Sequence, residues 1–289
     1  ISGRRVVFSG DVGRPDDLLL RDPVKPERAD VLFLECTYGD RLHSAESMDE
    51  KLLRIIKDTT DRGGTLIIPS FAVERAQLLM YMLWRLKRVN KISSDLPVIL
   101  DSPMGANALS VFRKYPDWHK LSPDDVSEMT QSTHIVRSFK ETWEIIDNKN
   151  PKIVIAGSGM VTGGRVLTYL QQYADRPETT VLLAGYQAEG TRGRQMLGDE
   201  RVVGVERRRH PRVWQPLEDA GTRGVQSRVE PVPVRRVRRQ SEQQGEIPAH
   251  LVCHPDGLVG VVDTHVDVQS RGGVAVLRVL DAVELRPIA

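Results

Sequence analysis

Short apolar runs alternate with stretches of helical period along residues 1–197. Between the apolar runs, hydrophobic positions recur three or four residues apart, which is typical of amphipathic helices. Strands that alternate with helices favour an α/β fold with a largely parallel sheet, and unbroken apolar runs are typical of strands covered on both faces. The predicted strands are 4–9, 31–34, 65–68, 97–100, 153–156 and 180–184.

Helix boundaries are marked by local signals. The spacing of Ser47 to Glu50 and of Ser138 to Glu141 is that of a capping box, which predicts a helix start at each position. The first of these helices is predicted to end at Gly63-Gly64. The remaining helical stretches are predicted at 72–87, at 106–114 and after residue 164.

The pattern changes after Leu197. The last lysine is Lys152, whereas arginine is dense between residues 201 and 239. One interpretation is an arginine-rich arm for nucleic acid. The loss of lysine and the scarcity of aromatics favour the other interpretation, a stretch not selected to fold with what precedes it, such as one read in a shifted frame. The fold of the C-terminal third is therefore left open.

Composition restricts the class of protein. The 289 residues are 40% hydrophobic, the net charge is +2 and no apolar run reaches about 18 residues, so we expect a globular protein without a membrane span. Two cysteines cannot form a disulfide framework, which favours a reducing compartment and a cytoplasmic location. Because a strand follows Ile1 almost at once, we expect the chain to be a piece of a longer protein.

Polar and small residues follow every predicted strand. Ligands of open α/β sheets bind beyond the carboxyl ends of the strands, so these loops are candidate sites. Any one of them can also be a simple turn. The glycine-rich loop after residue 156 would expose backbone amides to a phosphate, with Arg165 as a charge partner. The loops carry Asp11, Glu35, Ser70 with Arg75, Asp101, Ser158 with Arg165, and Gln187.

Six motifs in this order resemble the β-CASP branch of the metallo-β-lactamase fold, a family of RNA nucleases. They are FSGDVGR, LECTYGDR, PSFAVERAQ, LDSPMG, AGSGMVTGGR and AGYQAEGTRGR, and they extend from about residue 6 to residue 197. The resemblance implies an α/β chain that contains part of a metallo-β-lactamase αββα core and a β-CASP insert. The implied boundaries are 1–38 for the end of the first core segment, 39–184 for the β-CASP domain and 185–289 for the return segment, divergent or disordered after about 197.

The resemblance also implies roles for individual residues. Asp11 matches an aspartate that bridges two zinc ions, and Glu35 matches an acid that helps to position a histidine acting on the leaving group. His265 is a candidate zinc ligand because Asp267 fits the family pattern two residues later. The residues implied to bind RNA are Ser70, Arg75, Ser158, Gly159, Gly163, Gly164 and Arg165.

The chain departs from the family where zinc ligands are expected. It contains no His-x-His-x-Asp-His cluster, and zinc sites need three or more ligands. The resemblance therefore implies a two-zinc RNA nuclease as the parent, with this chain inactive by itself because it is incomplete. A noncatalytic RNA-binding or scaffold subunit is the alternative, and a small-molecule hydrolase is disfavoured. RNA is the implied partner, and a homodimer is left open.

Overall fold

The computed structural model describes residues 3–38 and 47–197 and the backbone of residues 214–216, 266–271 and 274–279. The chain divides into two compact units. Unit 1 contains 3–17, 22–38 and the last two of these backbone segments; unit 2 contains 18–21, 47–197 and 214–216. The domain boundaries implied by the resemblance stay predictions.

Unit 1 contains a mixed four-stranded sheet. Its strands, in the order β1-β2-β10-β9, are β1 (Val6–Phe8), β2 (Val31–Glu35), β9 (Val266–Arg271) and β10 (Val274–Val279). The β1 strand runs parallel to β2, whereas β10 runs antiparallel to both of its neighbours. The Phe8 and Phe33 rings stack with centroids 4.5 Å apart across the parallel pair.

Unit 2 contains a six-stranded sheet in which every pairing is parallel. This confirms the α/β fold with a parallel sheet flanked by helices. The strand order is β5-β4-β6-β3-β7-β8. The strands are β3 (Thr65–Pro69), β4 (Val98–Asp101), β5 (His134–Ile135), β6 (Lys152–Ala156), β7 (Thr180–Leu183) and β8 (Trp214–Pro216).

Helices follow the strands of unit 2. The sequence did not predict the helices α4 (Pro123–Gln131) and α7 (Arg192–Leu197) or the strand β5, because each is short and α4 buries only Val126 and Met129. The helices are α1 (Met48–Thr60), α2 (Arg75–Arg88), α3 (Pro103–Lys114), α4 (Pro123–Gln131), α5 (Phe139–Asp147), α6 (Arg165–Tyr173) and α7 (Arg192–Leu197). No helix in the described ranges is both long and apolar enough to cross a membrane.

Both faces of this sheet are buried, as the unbroken apolar runs predict. Along β3, Leu66 and Ile68 pack in one core cluster, while Ile67 packs in a second cluster on the opposite face. The second cluster includes Tyr169 and Tyr173 of α6. Each fully buried leucine or isoleucine side chain contributes about 1.5–3 kcal/mol to folding, so both clusters stabilise the sheet.

Of the two predicted capping boxes, only the one at Ser138 makes its side-chain cap hydrogen bond. The Ser47 side chain makes no capping hydrogen bond to α1, whose first turn instead carries Asp49 and Glu50, acids that interact favourably with the helix dipole. At the second site, Ser138 Oγ accepts from the Glu141 backbone N–H at 3.2 Å and caps α5.

A buried lysine begins β6. Lys152 is 2% exposed, and its ammonium group donates to the backbone carbonyl of Asn148 and lies 5.7 Å from the centre of the Tyr173 ring. Burial, together with the smaller effect of the neighbouring cations Lys149 and Arg176, lowers the pKa of Lys152 to about 8.

Candidate functional site

The carboxyl ends of four neighbouring strands of unit 2 meet at one edge of the sheet. Ser70 follows β3, and its backbone N–H donates to the carbonyl of Ala156 at the end of β6, at 2.9 Å. A Cβ atom on Gly157 would lie 3.2 Å from Ser102 Oγ, so the loops after β6 and β4 touch. We call this group the strand-end cluster; it consists of Ser70, Asp101, Ser102, Gly157, Ser158, Arg165 and Gln187.

Asp101 is the centre of the cluster. Its carboxylate is fully buried, and Oδ2 accepts hydrogen bonds from Thr142 Oγ1 at 2.7 Å and from Tyr169 Oη at 2.8 Å. Burial and the Asp101 carboxylate raise the pKa of Tyr169, so this phenol stays a hydrogen-bond donor at any physiological pH. Ser102 Oγ accepts from the backbone N–H of Gly105 at 3.0 Å and caps α3.

Arg165 lies between a carboxylate and an aromatic ring. Its Nε is 3.5 Å from Asp101 Oδ1, and its guanidinium carbon is 4.5 Å from the centre of the Phe139 ring. The side chain is 18% exposed. The predicted phosphate-binding arginine is therefore at the expected edge, but it is held by its neighbours and only part of its surface reaches solvent.

Ser158 organises the glycine-rich loop before α6. Its Oγ accepts from the backbone N–H groups of Thr162 at 3.1 Å and Gly163 at 3.3 Å. Gly164 has a φ of +73°, and a Cβ there would lie 2.5 Å from the carbonyl oxygen of Gly157, so only glycine fits. A Cβ on Gly159 would lie 2.7 Å from the Phe71 ring.

Ser70 and Arg75 are both engaged within unit 2. Ser70 is 3% exposed, and its hydroxyl donates to the carbonyl of Phe71 at 3.0 Å. The guanidinium of Arg75, at the start of α2, donates to the carbonyl of Ala184 at 2.6 Å and so joins α2 to the end of β7. The helix begins three residues later than the sequence predicts because Glu74 has a φ of +64°, outside the helical region.

Gln187 lies in one of the candidate loops, but the sequence analysis assigned it no role in metal or RNA binding. Its amide Nε2 donates to the carbonyls of Gly159 and Gly185, both at 3.0 Å, and thereby joins the loops after β6 and β7. The signal was available in the sequence, since Gln187 lies in a polar loop directly after a predicted strand.

Unsatisfied polar atoms concentrate in the strand-end cluster. Among the described residues, five buried side-chain polar atoms have no hydrogen-bond partner, and three of them are Asp101 Oδ1, Arg165 Nη1 and Gln187 Oε1. Buried polar atoms are normally paired, and exceptions are frequent at functional sites. The cluster thus offers both donors and acceptors for a polar ligand.

The two predicted catalytic acids follow adjacent strands of unit 1. Asp11 lies just beyond β1 and is exposed, and Glu35 ends β2. The two strand ends touch, because the backbone N–H of Glu35 donates to Ser9 Oγ at 3.0 Å. Glu35 Oε2 accepts from the backbone N–H of Thr37 at 2.9 Å.

The described residues do not by themselves form a zinc site. Across 3–38 and 47–197, no three His, Cys, Asp or Glu side chains converge. His265 lies outside the described residues. His119 is 2% exposed, and both ring nitrogens are engaged, with the carbonyl of Phe112 and the backbone N–H of Leu121, each at 3.2 Å. The exposed His134 pairs with Glu141 at 3.0 Å.

Comparisons with known proteins agree with this architecture. Residues 76–196 match the family model described as the Beta-Casp domain, a range that includes most of the strand-end cluster. Ribonuclease TTHA0252 of Thermus thermophilus is 33% identical over 222 residues, which cover 71% of this chain and 49% of the relative.

Two further relatives come from an archaeon and a yeast. Transcription termination factor FttA of Pyrococcus abyssi is 35% identical over 199 residues, covering 65% of this chain and 30% of that protein. Endoribonuclease ysh1 of Schizosaccharomyces pombe is 30% identical over 219 residues, covering 73% of this chain and 28% of that protein. The chain thus spans half or less of the length of these relatives, and it belongs to the β-CASP family of metallo-β-lactamase-fold proteins.

Proposed function

We propose that the protein containing this chain hydrolyses RNA phosphodiester bonds as a zinc-dependent ribonuclease of the β-CASP type. The observation that carries the proposal is the 33% identity to a protein named as a ribonuclease, over 71% of this chain. The yeast relative is named as an endoribonuclease, which supports the same reaction class.

In this proposal, unit 2 contributes RNA binding. The strand-end cluster supports that role because three of its buried polar atoms, one of them on the Arg165 guanidinium, lack a hydrogen-bond partner at the edge of the sheet where α/β proteins bind ligands. Ser70, Arg75 and the glycines of the loop before α6 would act there mainly by shaping the loops, since their polar groups are engaged within the unit.

Zinc would be held outside unit 2. Asp11 would supply one carboxylate ligand, and Glu35 would lie beside it at the end of the neighbouring strand. Two zinc ions in the complete protein would neutralise charge on the phosphodiester. We also propose that the 289-residue chain alone does not cleave RNA, because its sequence contains no His-x-His-x-Asp-His cluster to supply the imidazole ligands that the resemblance implies. A cytoplasmic location and a homodimer stay predictions.

The test combines metal analysis with RNA binding. We would measure zinc per chain in the purified 289-residue protein and in Asp11→Ala, and then follow binding and cleavage of a labelled single-stranded RNA. The expected result is RNA binding in EDTA that weakens with salt, and no zinc-dependent cleavage.

Other outcomes would correct the proposal in different ways. If the chain holds about two zinc ions, loses them in Asp11→Ala and cleaves RNA, the proposed inactivity is wrong and the nuclease assignment stands. A chain that binds no RNA at low salt would contradict the RNA-binding role of unit 2.

A further inference from the structure

Two exposed aromatic side chains lie on the first turns of α5. Phe139 is 50% exposed and Trp143 is 38% exposed. Their ring centroids are 6.1 Å apart and their planes meet at 83°, an edge-to-face contact. Burying large aromatic rings is favourable, so a pair left in solvent next to a polar site requires an explanation. We call Phe139 and Trp143 the aromatic shelf.

The aromatic shelf adjoins the strand-end cluster. The α5 helix begins four residues after β5 ends, and its residue Thr142 donates to Asp101 at 2.7 Å. Arg165, which is paired with the same carboxylate, stacks on the Phe139 ring at 4.5 Å. The aromatic rings and the buried polar network are thus joined through two direct contacts.

The shelf is held in place before any ligand binds. Ser138 caps the helix, and the Glu141 carboxylate accepts from the backbone N–H of Arg137 at 2.8 Å. This hydrogen bond is the main reason that the pKa of Glu141 is lowered. Because the turn is fixed by these bonds and by Thr142, a flat ligand that stacks there would lose little of its binding free energy to ordering the protein.

The charges around the shelf suit a polyanion with flat bases. Arg137 and Lys140 are exposed on either side of Phe139 in the sequence, in addition to the Arg165 guanidinium. Lys140 is paired with the exposed Glu144 at 3.7 Å, a surface ion pair that a phosphate can replace. Surfaces that bind single-stranded RNA combine aromatic rings, on which bases stack, with cations for the phosphates. A purely apolar partner would make no use of these three cations.

We propose that Phe139 and Trp143 form a stacking site for a base of single-stranded RNA, next to a phosphate contact at Arg165. The inference rests on the proposed function, because it assumes that the chain binds RNA. It adds a specific contact that recognises a base rather than the phosphate backbone.

The test is the affinity of the full chain for a labelled single-stranded oligonucleotide, measured by fluorescence anisotropy in EDTA at several salt concentrations. Stacking on one aromatic ring corresponds to about a tenfold change in affinity. Trp143→Leu should therefore bind about tenfold more weakly with an unchanged salt dependence. Trp143→Phe, which keeps a ring, should recover most of the affinity.

A matched control is available in the same unit. Trp118, which is 77% exposed and follows the C-terminal end of α3, is not part of the shelf. Trp118→Leu should bind RNA like the parent chain. RNA should also quench tryptophan fluorescence in the parent chain and in Trp118→Leu, and the quench should be much smaller in Trp143→Leu. Circular dichroism would verify the fold of each variant.

The outcomes separate this inference from the proposed function. If the parent chain binds RNA and Trp143→Leu binds equally well, the stacking site is wrong while RNA binding stands. If the parent chain binds no RNA, the proposed RNA-binding role fails, and the stacking site with it. A change of oligomeric state in Trp143→Leu, seen by sedimentation, without a change in RNA affinity would mean that the shelf contacts a second copy of the chain, which overturns the inference.

Discussion

Replacing Asp101 with alanine tests the buried network beneath the candidate site. The substitution removes the acceptor for Thr142 and Tyr169 and leaves the Arg165 guanidinium without its counter-charge. A buried hydrogen bond to a charged group contributes about 1.5–3 kcal/mol, and removing one partner of a buried ion pair costs about 3–5 kcal/mol. These contributions overlap, so we expect Asp101→Ala to lower the free energy of unfolding by about 4 kcal/mol.

The assay is urea unfolding followed by circular dichroism, with the midpoint and the slope compared between variants. Asp58 is an exposed aspartate of α1, and Asp58→Ala is the control, with an expected change within about 0.5 kcal/mol. A change below about 1 kcal/mol for Asp101→Ala would refute the reasoning, since the buried side chains of Thr142 and Tyr169 would each lose a hydrogen bond to a charged group.

A double variant sharpens the test. If the cost arises from the uncompensated guanidinium, adding Arg165→Met to Asp101→Ala should restore part of the lost stability, because removing both charges costs less than removing one. Additive losses in the double variant would show that the two side chains do not interact energetically.

Two further predictions concern the packing of unit 2. Lys152 has a pKa of about 8 in the folded chain and about 10.4 when unfolded, so the unfolded state binds more protons between these values and stability should rise with pH across that window. Lys152→Met should abolish this rise when the free energy of unfolding is measured in urea at pH 7 to 10. If the free energies of Lys152→Met and of the parent chain rise in parallel with pH, the rise does not come from Lys152. A Cβ on Gly64 would lie 1.9 Å from the carbonyl oxygen of Glu178, so Gly64→Ala should lower the urea unfolding midpoint strongly. The control is Gly13→Ala, because nothing lies within 4 Å of a Cβ at that position. Equal midpoints for the two variants would contradict the close packing at Gly64.

The sequence predicts the strands of the sheet better than the network at its edge. A strand that is buried on both faces has apolar residues at every position instead of alternating apolar and polar ones. Runs such as Leu66 to Ile68 therefore predict buried strands, and the structure confirms this prediction. The hydrogen-bond partners of Asp101, Thr142 and Tyr169, are 41 and 68 residues away along the chain. The periodicity of a helix shows which of its faces is apolar, but it does not show which distant residue that face contacts. Phe139 and Trp143 match a helical apolar pattern, which by itself indicates core packing rather than exposure.

The helix starts show a second limit of local patterns. The spacing at Ser47 satisfies the capping rule, yet the side chain does not cap, because its backbone orientation and not its identity decides whether Oγ reaches the N–H groups. The predicted start of α2 at residue 72 is wrong because Ala72 and Val73 fit the helical period, whereas periodicity carries no information about the positive φ of Glu74.

The segment Leu18–Arg21 belongs to unit 2 although the chain on both sides of it belongs to unit 1. Leu19 is fully buried in the larger core, its carbonyl accepts from the Lys120 N–H at 2.8 Å, and Arg21 Nε donates to the carbonyl of Asp117 at 2.5 Å. A fragment designed to begin near residue 47 would therefore lack a core side chain and leave backbone groups unpaired. Unit 2 is therefore not one continuous stretch of the sequence, and a fragment meant to keep its whole core should include these four residues.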